Sequence, residues 1–102
     1  MTYTRFLLPA EIEMLEAAVH YGTQVEGLGT AFLASVESAV QDIAERPGAW
    51  PPVGNGIRKR QVYRFPYAVL YRIDPLEIVI VAVMHQRRRP GYWLARVGSP
   101  NE

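Results

Sequence analysis

The sequence predicts an α+β fold in the order β-α-α-β-β-β, with a helical hairpin packed on one face of a small antiparallel sheet and a short C-terminal tail or helix. Three observations predict it. Apolar residues recur at helical spacing in two separate segments between residues 9 and 46. Three strand-like runs follow from Ile57, joined by connections too short for a crossover. A short aromatic and aliphatic run precedes the helices.

That first run, Tyr3 to Leu8, reads as a strand whose partner the sequence does not name. Pro9 suits the first position of a helix, where its missing N–H costs nothing. Ile12, Leu15 and Val19 then form an apolar stripe, with Glu13, Glu16 and His20 opposite, and Tyr21-Gly22 marks the stop. A second helix begins near Gly27-Leu28-Gly29. Leu28, Phe32, Val36, Ala39 and Ile43 make its inner face, and Arg46-Pro47-Gly48 ends it. The loop through Trp50-Pro51-Pro52 and Gly54-Asn55-Gly56 leads to the strands. Ile57 to Phe65 alternates, with Arg58, Arg60 and Arg64 on one side and Ile57, Tyr63 and Phe65 on the other. Tyr67 to Ile73 and Glu77 to His85 complete a meander around the Asp74-Pro75 turn. In the last strand Ile78, Ile80 and Met84 are expected on one face and Val79, Val81 and Val83 on the other. Two helices cover one face only, so either the residues after Arg87 or a partner must cover the second.

Length and composition bound the function. The 102 residues make one domain, 1–102, and 49% hydrophobic with 21% charged residues is ordinary globular composition. The absence of cysteine excludes disulfides and thiolate zinc sites and suits a reducing, cytoplasmic compartment. The longest apolar run, Ile78 to Met84, is too short to cross a bilayer, and no signal peptide or membrane partner is expected. No phosphate loop, paired metal-binding histidines or readable catalytic triad occurs, so no metal and no cofactor are expected.

Charge is divided. Residues 1–50 carry two cations against seven carboxylates, a net of −5, and residues 51–102 carry nine against three, a net of +6. The basic half interleaves Arg58-Lys59-Arg60 and Arg87-Arg88-Arg89 with Tyr63, Tyr67, Tyr71, Tyr92 and Trp93. Arginine with aromatics binds phosphates and stacks bases. Guanidinium groups also grip carboxylates in pairs, so an acidic protein partner fits equally. Three adjacent guanidinium groups cannot all enter a core, so at least two of Arg87, Arg88 and Arg89 are expected to be exposed or ion-paired, one of them to Glu37.

The segments Phe65-Pro66-Tyr67-Ala68-Val69-Leu70-Tyr71, Ile80 to His85 and Arg87-Arg88-Arg89-Pro90-Gly91-Tyr92-Trp93 resemble the C-terminal half of RelE/ParE superfamily toxins. Tyr21, Gly27-Leu28-Gly29, Phe32, Val36-Glu37, Ala39, Pro47 and Trp50-Pro51 resemble its helical half, so the likeness runs from about Tyr3 to Arg96. The resemblance implies a toxin of a bacterial type II toxin–antitoxin system, cytoplasmic, held in a hetero-oligomer by a cognate antitoxin that wraps around it. RelE-like members are ribosome-dependent mRNA endonucleases and typically carry an Arg just before the third strand's core. Here Tyr67 or Ala68 stands there. The Phe-Pro-Tyr and His-x-Arg-Arg pattern is closer to the ParE-like, plasmid-stabilisation branch, whose characterised members poison DNA gyrase by binding it.

The expectation is thus a ParE-like toxin acting on a bound target, DNA gyrase by default. The residues expected to bind its target or its antitoxin are Arg58, Arg60, Arg64, Arg87, Arg88, Tyr92 and Trp93. One alternative is a ribonuclease acting on ribosome-bound mRNA through Arg58, Arg60, Arg64 and His85. The other is a degenerate toxin that binds only its antitoxin.

Overall fold

A computed structural model describes residues 3–97. The strand β1 (Thr4–Phe6) leads into the helices α1 (Leu8–Gln24) and α2 (Leu28–Glu45). After a 3-10 turn at Pro47–Ala49 come β2 (Pro52–Gly54), β3 (Ile57–Gln61), β4 (Tyr67–Ile73) and β5 (Ile78–His85), and a second 3-10 turn at Leu94–Arg96. Two helices pack on a five-stranded sheet of order β1-β5-β4-β3-β2.

The sheet is mixed, where an antiparallel one is expected from the sequence. β1 pairs with β5 in parallel, Thr4 opposite Ile78 and Phe6 opposite Ile80. The cause is the one-residue link at Leu7, which leaves no room for a reversal. α1 therefore continues in the direction of β1: its Glu13 reaches the Val83 amide and its His20 lines a cleft with His85. α2 brings the chain back, from Phe32 beside Tyr67 to Pro47 at the Tyr71 hydroxyl. With β3, β4 and β5 the chain has reversed four times, and an even number makes first and last strands parallel. The short edge strand β2, paired with Arg58 and Ile57, is an element the sequence reading missed. Its Pro52 is tolerated because the strand lies at an edge.

The core between the layers sets Phe32, Val36, Ala39 and Ile43 of α2 against Val69, Tyr71, Ile78, Ile80 and Val83. Tyr21, Phe32, Phe65 and Tyr67 close one end of it with ring centroids 5.0 to 6.2 Å apart. α2 buries the face its sequence pattern predicts. α1 does not. Its inner face is Ala10, Met14, Ala17, Ala18 and Tyr21, while Leu8, Ile12, Leu15 and Val19 are exposed, Val19 by 67%. The helix carries two apolar stripes, and close approach to α2 selects the one with small residues. At the contact, a Cβ on Gly29 would sit 2.3 Å from the Ala18 carbonyl oxygen. Gly29→Ala is therefore expected to destabilise, by a net ~1–2 kcal/mol, because overpacking outweighs the ~1 kcal/mol that alanine gains in helix propensity. A thermal melt checks this: an unchanged Tm would mean that the helix pair spreads freely.

β3 ends earlier than expected. Tyr63 and Arg64 form a turn, Arg64 with φ 73°, and Tyr63 is 74% exposed, although the alternation groups it with Ile57 and Phe65, which are buried. In β5 the alternation also fails midway. A bulge opposite Leu70 and Tyr71 puts Val81 and Ala82 together on the far face and returns Val83 to the helix face. The far face is covered by the chain's own tail. Trp93, 5% exposed, packs on Ile57, Leu70, Val79, Val81 and Ala82, with Tyr92, Met84 and Val97 at the rim.

Candidate functional site

Beyond Ile80 the sheet edge at β5 has no strand partner among the described residues, and the bulge leaves backbone groups to satisfy. Glu13 of α1 reaches this edge. Its carboxylate accepts from the Val83 amide (3.1 Å), the Tyr92 hydroxyl (2.6 Å) and both terminal nitrogens of Arg96 (2.8 and 3.0 Å). Arg96 also donates to the Val81 carbonyl at 3.2 Å. One ion pair thus caps the bulge and fastens the tail that carries Trp93. Burial and the bond to Glu13 raise the Tyr92 pKa well above the ordinary phenol value, so its hydroxyl stays a donor. The Glu13 bond raises Arg96 as well.

Glu13 is expected on the outer side of α1 from the sequence, and Arg96 is not among the expected binding residues. The expected bridge from the arginine run to Glu37 does not form; the bridge comes from Arg96 to Glu13. The one signal in the sequence is that Glu13 lies four residues before Ala17, on the stripe of small residues.

The predicted basic residues separate into two groups. Arg58 and Arg60 pair with Tyr71 and Val69, so both face the helices. Arg58 donates to the carbonyls of Gly48 and Trp50. Arg60 pairs with Asp42 at 2.8 Å and lies over the Trp50 ring. Both are held by the junction between α2 and the sheet. The second group sits where the β3–β4 turn meets the turn after β5, joined by the Gln86 amide donating to the Pro66 carbonyl at 2.9 Å. Arg64 lies there over the Phe65 ring, and Arg87, Arg88 and Arg89 are all exposed. Arg88 stacks 3.9 Å from the Tyr92 ring centroid. His85 packs edge-on against Tyr67, and its Nδ1 accepts from the Arg87 amide at 3.0 Å. The four residues named for a nuclease are therefore not gathered at one point: Arg58 and Arg60 are bonded inward, whereas Arg64 and His85 belong to the second group.

Beside Arg88 a groove of about 440 Å³ runs over the tail face. Leu70, Met84, Trp93 and Leu94 form its apolar floor, and Lys59 and Arg88 its basic rim. Lys59 points to this side because it pairs with Leu70, a placement that the sequence reading did not use. A second groove, about 340 Å³ and almost wholly apolar, lies between the helices and β1 along Phe6, Met14, Leu15, Leu33, Val36 and Val40. Leu15 belongs both to that groove and to the exposed α1 stripe. Among the described residues no group of histidines and carboxylates could hold a metal ion.

A family model described as the ParE toxin of type II toxin–antitoxin systems, parDE, matches residues 8–90. A solved chain from the chromosomal ParDE toxin–antitoxin system of P. aeruginosa has the same fold, with a TM-score of 0.68 and 19% identity. The match covers 83% of this chain and 96% of that one. No curated protein matches the sequence.

Proposed function

The chain belongs to the ParE toxin family of type II toxin–antitoxin systems, and on that premise we propose that it arrests growth by binding a protein target, DNA gyrase by default, until a cognate antitoxin neutralises it. The observation that carries the binding reading is the division of the arginines. Arg58 and Arg60 are spent on Asp42 and backbone carbonyls, whereas Arg87 and Arg88 stand exposed beside a groove with an apolar floor. Exposed arginine next to an apolar pocket is the composition of an interface hot spot. The antitoxin has a separate place in this reading. The stripe Leu8, Ile12, Leu15 and Val19, with the groove beneath Leu15, offers an amphipathic helix an apolar seat and rims it with Glu11 and Glu16. The far sheet face, the other surface an antitoxin could cover, is occupied by Trp93. A toxin–antitoxin hetero-oligomer in the cytoplasm completes the reading. Among the described residues no helix is long and apolar enough to cross a membrane.

Controlled expression in bacteria, with plasmid supercoiling and protein synthesis followed in parallel, tests it. The expected result is loss of replication and altered supercoiling while translation continues. Immediate arrest of translation, with mRNA cut in ribosomal A-sites, would establish the ribonuclease instead. Normal growth together with tight antitoxin binding would leave a protein that binds only its antitoxin.

A further inference from the structure

Five of the chain's eleven lysines and arginines are spent internally. Arg5, Arg60, Arg72 and Arg96 are ion-paired to Glu77, Asp42, Asp74 and Glu13, and Arg58 is bonded to carbonyls. Among the described residues Arg64, Arg87, Arg88 and Arg89 have no carboxylate partner, and all four are exposed. They are also neighbours: Tyr67 pairs with His85, and the Gln86 amide bonds to Pro66, so the β3–β4 turn and the turn after β5 form one end of the sheet. The nearby carboxylate of Glu13 is neutralised by Arg96. From this juxtaposition we infer that the sheet end carrying Arg64 and Arg87 to Arg89 contacts the phosphate backbone of duplex DNA.

The aromatic residues decide between a duplex and a single strand. Proteins that hold single strands stack successive bases on exposed rings. Here Trp93 is buried, Tyr67 packs among Tyr21, Phe32 and His85, and one face of Tyr92 is covered by Arg88. Among the described residues Tyr63 alone stands open beside the arginines. Guanidinium groups beside a single open ring, with no row of rings for successive bases, hold phosphates and carry no base readout, which is how proteins grip a duplex irrespective of its sequence. The inference gives Arg87 and Arg88 a second partner beside the proposed protein target, and its test is separate because it uses DNA with no other protein present.

The test is fluorescence anisotropy of the full chain with a labelled 20-base-pair duplex, in a salt series from 50 to 200 mM. Three to four phosphate contacts give a log–log slope of about −3 and a loss of affinity of roughly 40- to 150-fold across that range. The slope should be the same for duplexes of unrelated sequence. Arg64→Ala and Arg89→Ala should each reduce it by about 1. Arg46→Ala, at the C-terminal end of α2 beside Trp50, should leave it unchanged. Glu16→Gln, which removes a carboxylate from the cleft that Arg88 lines, should strengthen binding. No binding at 50 mM salt, or a slope that ignores Arg64 and Arg89, overturns the inference. Preference for an acidic peptide or for single-stranded RNA over the duplex overturns it too. Toxicity retained in cells with no affinity for naked DNA would refute this inference and leave the proposed function standing.

Discussion

Replacing Arg87 and Arg88 together with alanine should abolish growth inhibition while the protein stays folded. Both side chains are exposed and make no ion pair among the described residues. The structural loss is confined to the stacking of Arg88 on Tyr92, about 1 kcal/mol. The functional loss is larger. An arginine at the centre of an interface typically contributes about 2 kcal/mol or more, so removing two should weaken target binding at least ~30-fold. The Tm of the double variant, its affinity for the antitoxin and growth on induction should be measured together. The expected pattern is a Tm within a few degrees of the parent, antitoxin binding unchanged through α1, and growth restored. Full toxicity in the double variant would show the run to be solvated surface. Loss of both toxicity and antitoxin binding would put the two partners on one surface and refute the separation of sites.

The second large effect belongs to Trp93. Truncating a buried tryptophan costs about 3–5 kcal/mol, and for a domain of this size each kcal/mol lowers Tm by about 4–8 °C. Trp93→Ala is therefore expected to melt at least ~12 °C lower than the parent. It should also release the tail, baring Ile57, Leu70, Val79 and Val81, the patch that the two-sided apolar strand would present without a cover. Self-association and binding of an apolar dye should rise in step. A melting curve like the parent's would show that the tail is an appendage and not a wall of the core. Glu13→Gln separates fastening from filling. Its remaining oxygen can still accept from the Val83 amide and its NH2 can donate to the Tyr92 hydroxyl, but the charge opposite Arg96 is gone, so the tail should loosen with the Trp93 contact still available.

The legible part of the fold was legible for physical reasons. α2 has one apolar stripe, so Phe32, Val36, Ala39 and Ile43 could be assigned inward from spacing alone. The meander follows from connections too short for any other path. In α1 the spacing points to the wrong stripe, because Ile12, Leu15 and Val19 are the larger apolar residues and hydrophobicity alone ranks them above Ala10, Ala17 and Ala18. The inner face went to the small residues because Gly29 brings the helices into backbone contact. Of the site, exposure of the arginine run could be read from the cost of burying charge. The partners of Arg58, Arg60 and Arg96 could not, since each lies far away in sequence or depends on a register.

By itself the sequence determined the family, the α+β class, the inner face of α2 and the division of charge between the two halves, because each rests on local pattern or composition. Tertiary structure decided the parallel pairing of β1, since that depends on a linker of one residue and a count of chain reversals. It decided the phase of β5, since one bulge moves Val83 to the other face. It also decided which arginines are free. A guanidinium's partner is fixed by where the chain brings a carboxylate, and only packing brought Asp42 to Arg60 and Glu13 to Arg96 while leaving Arg64 and Arg87 to Arg89 in water.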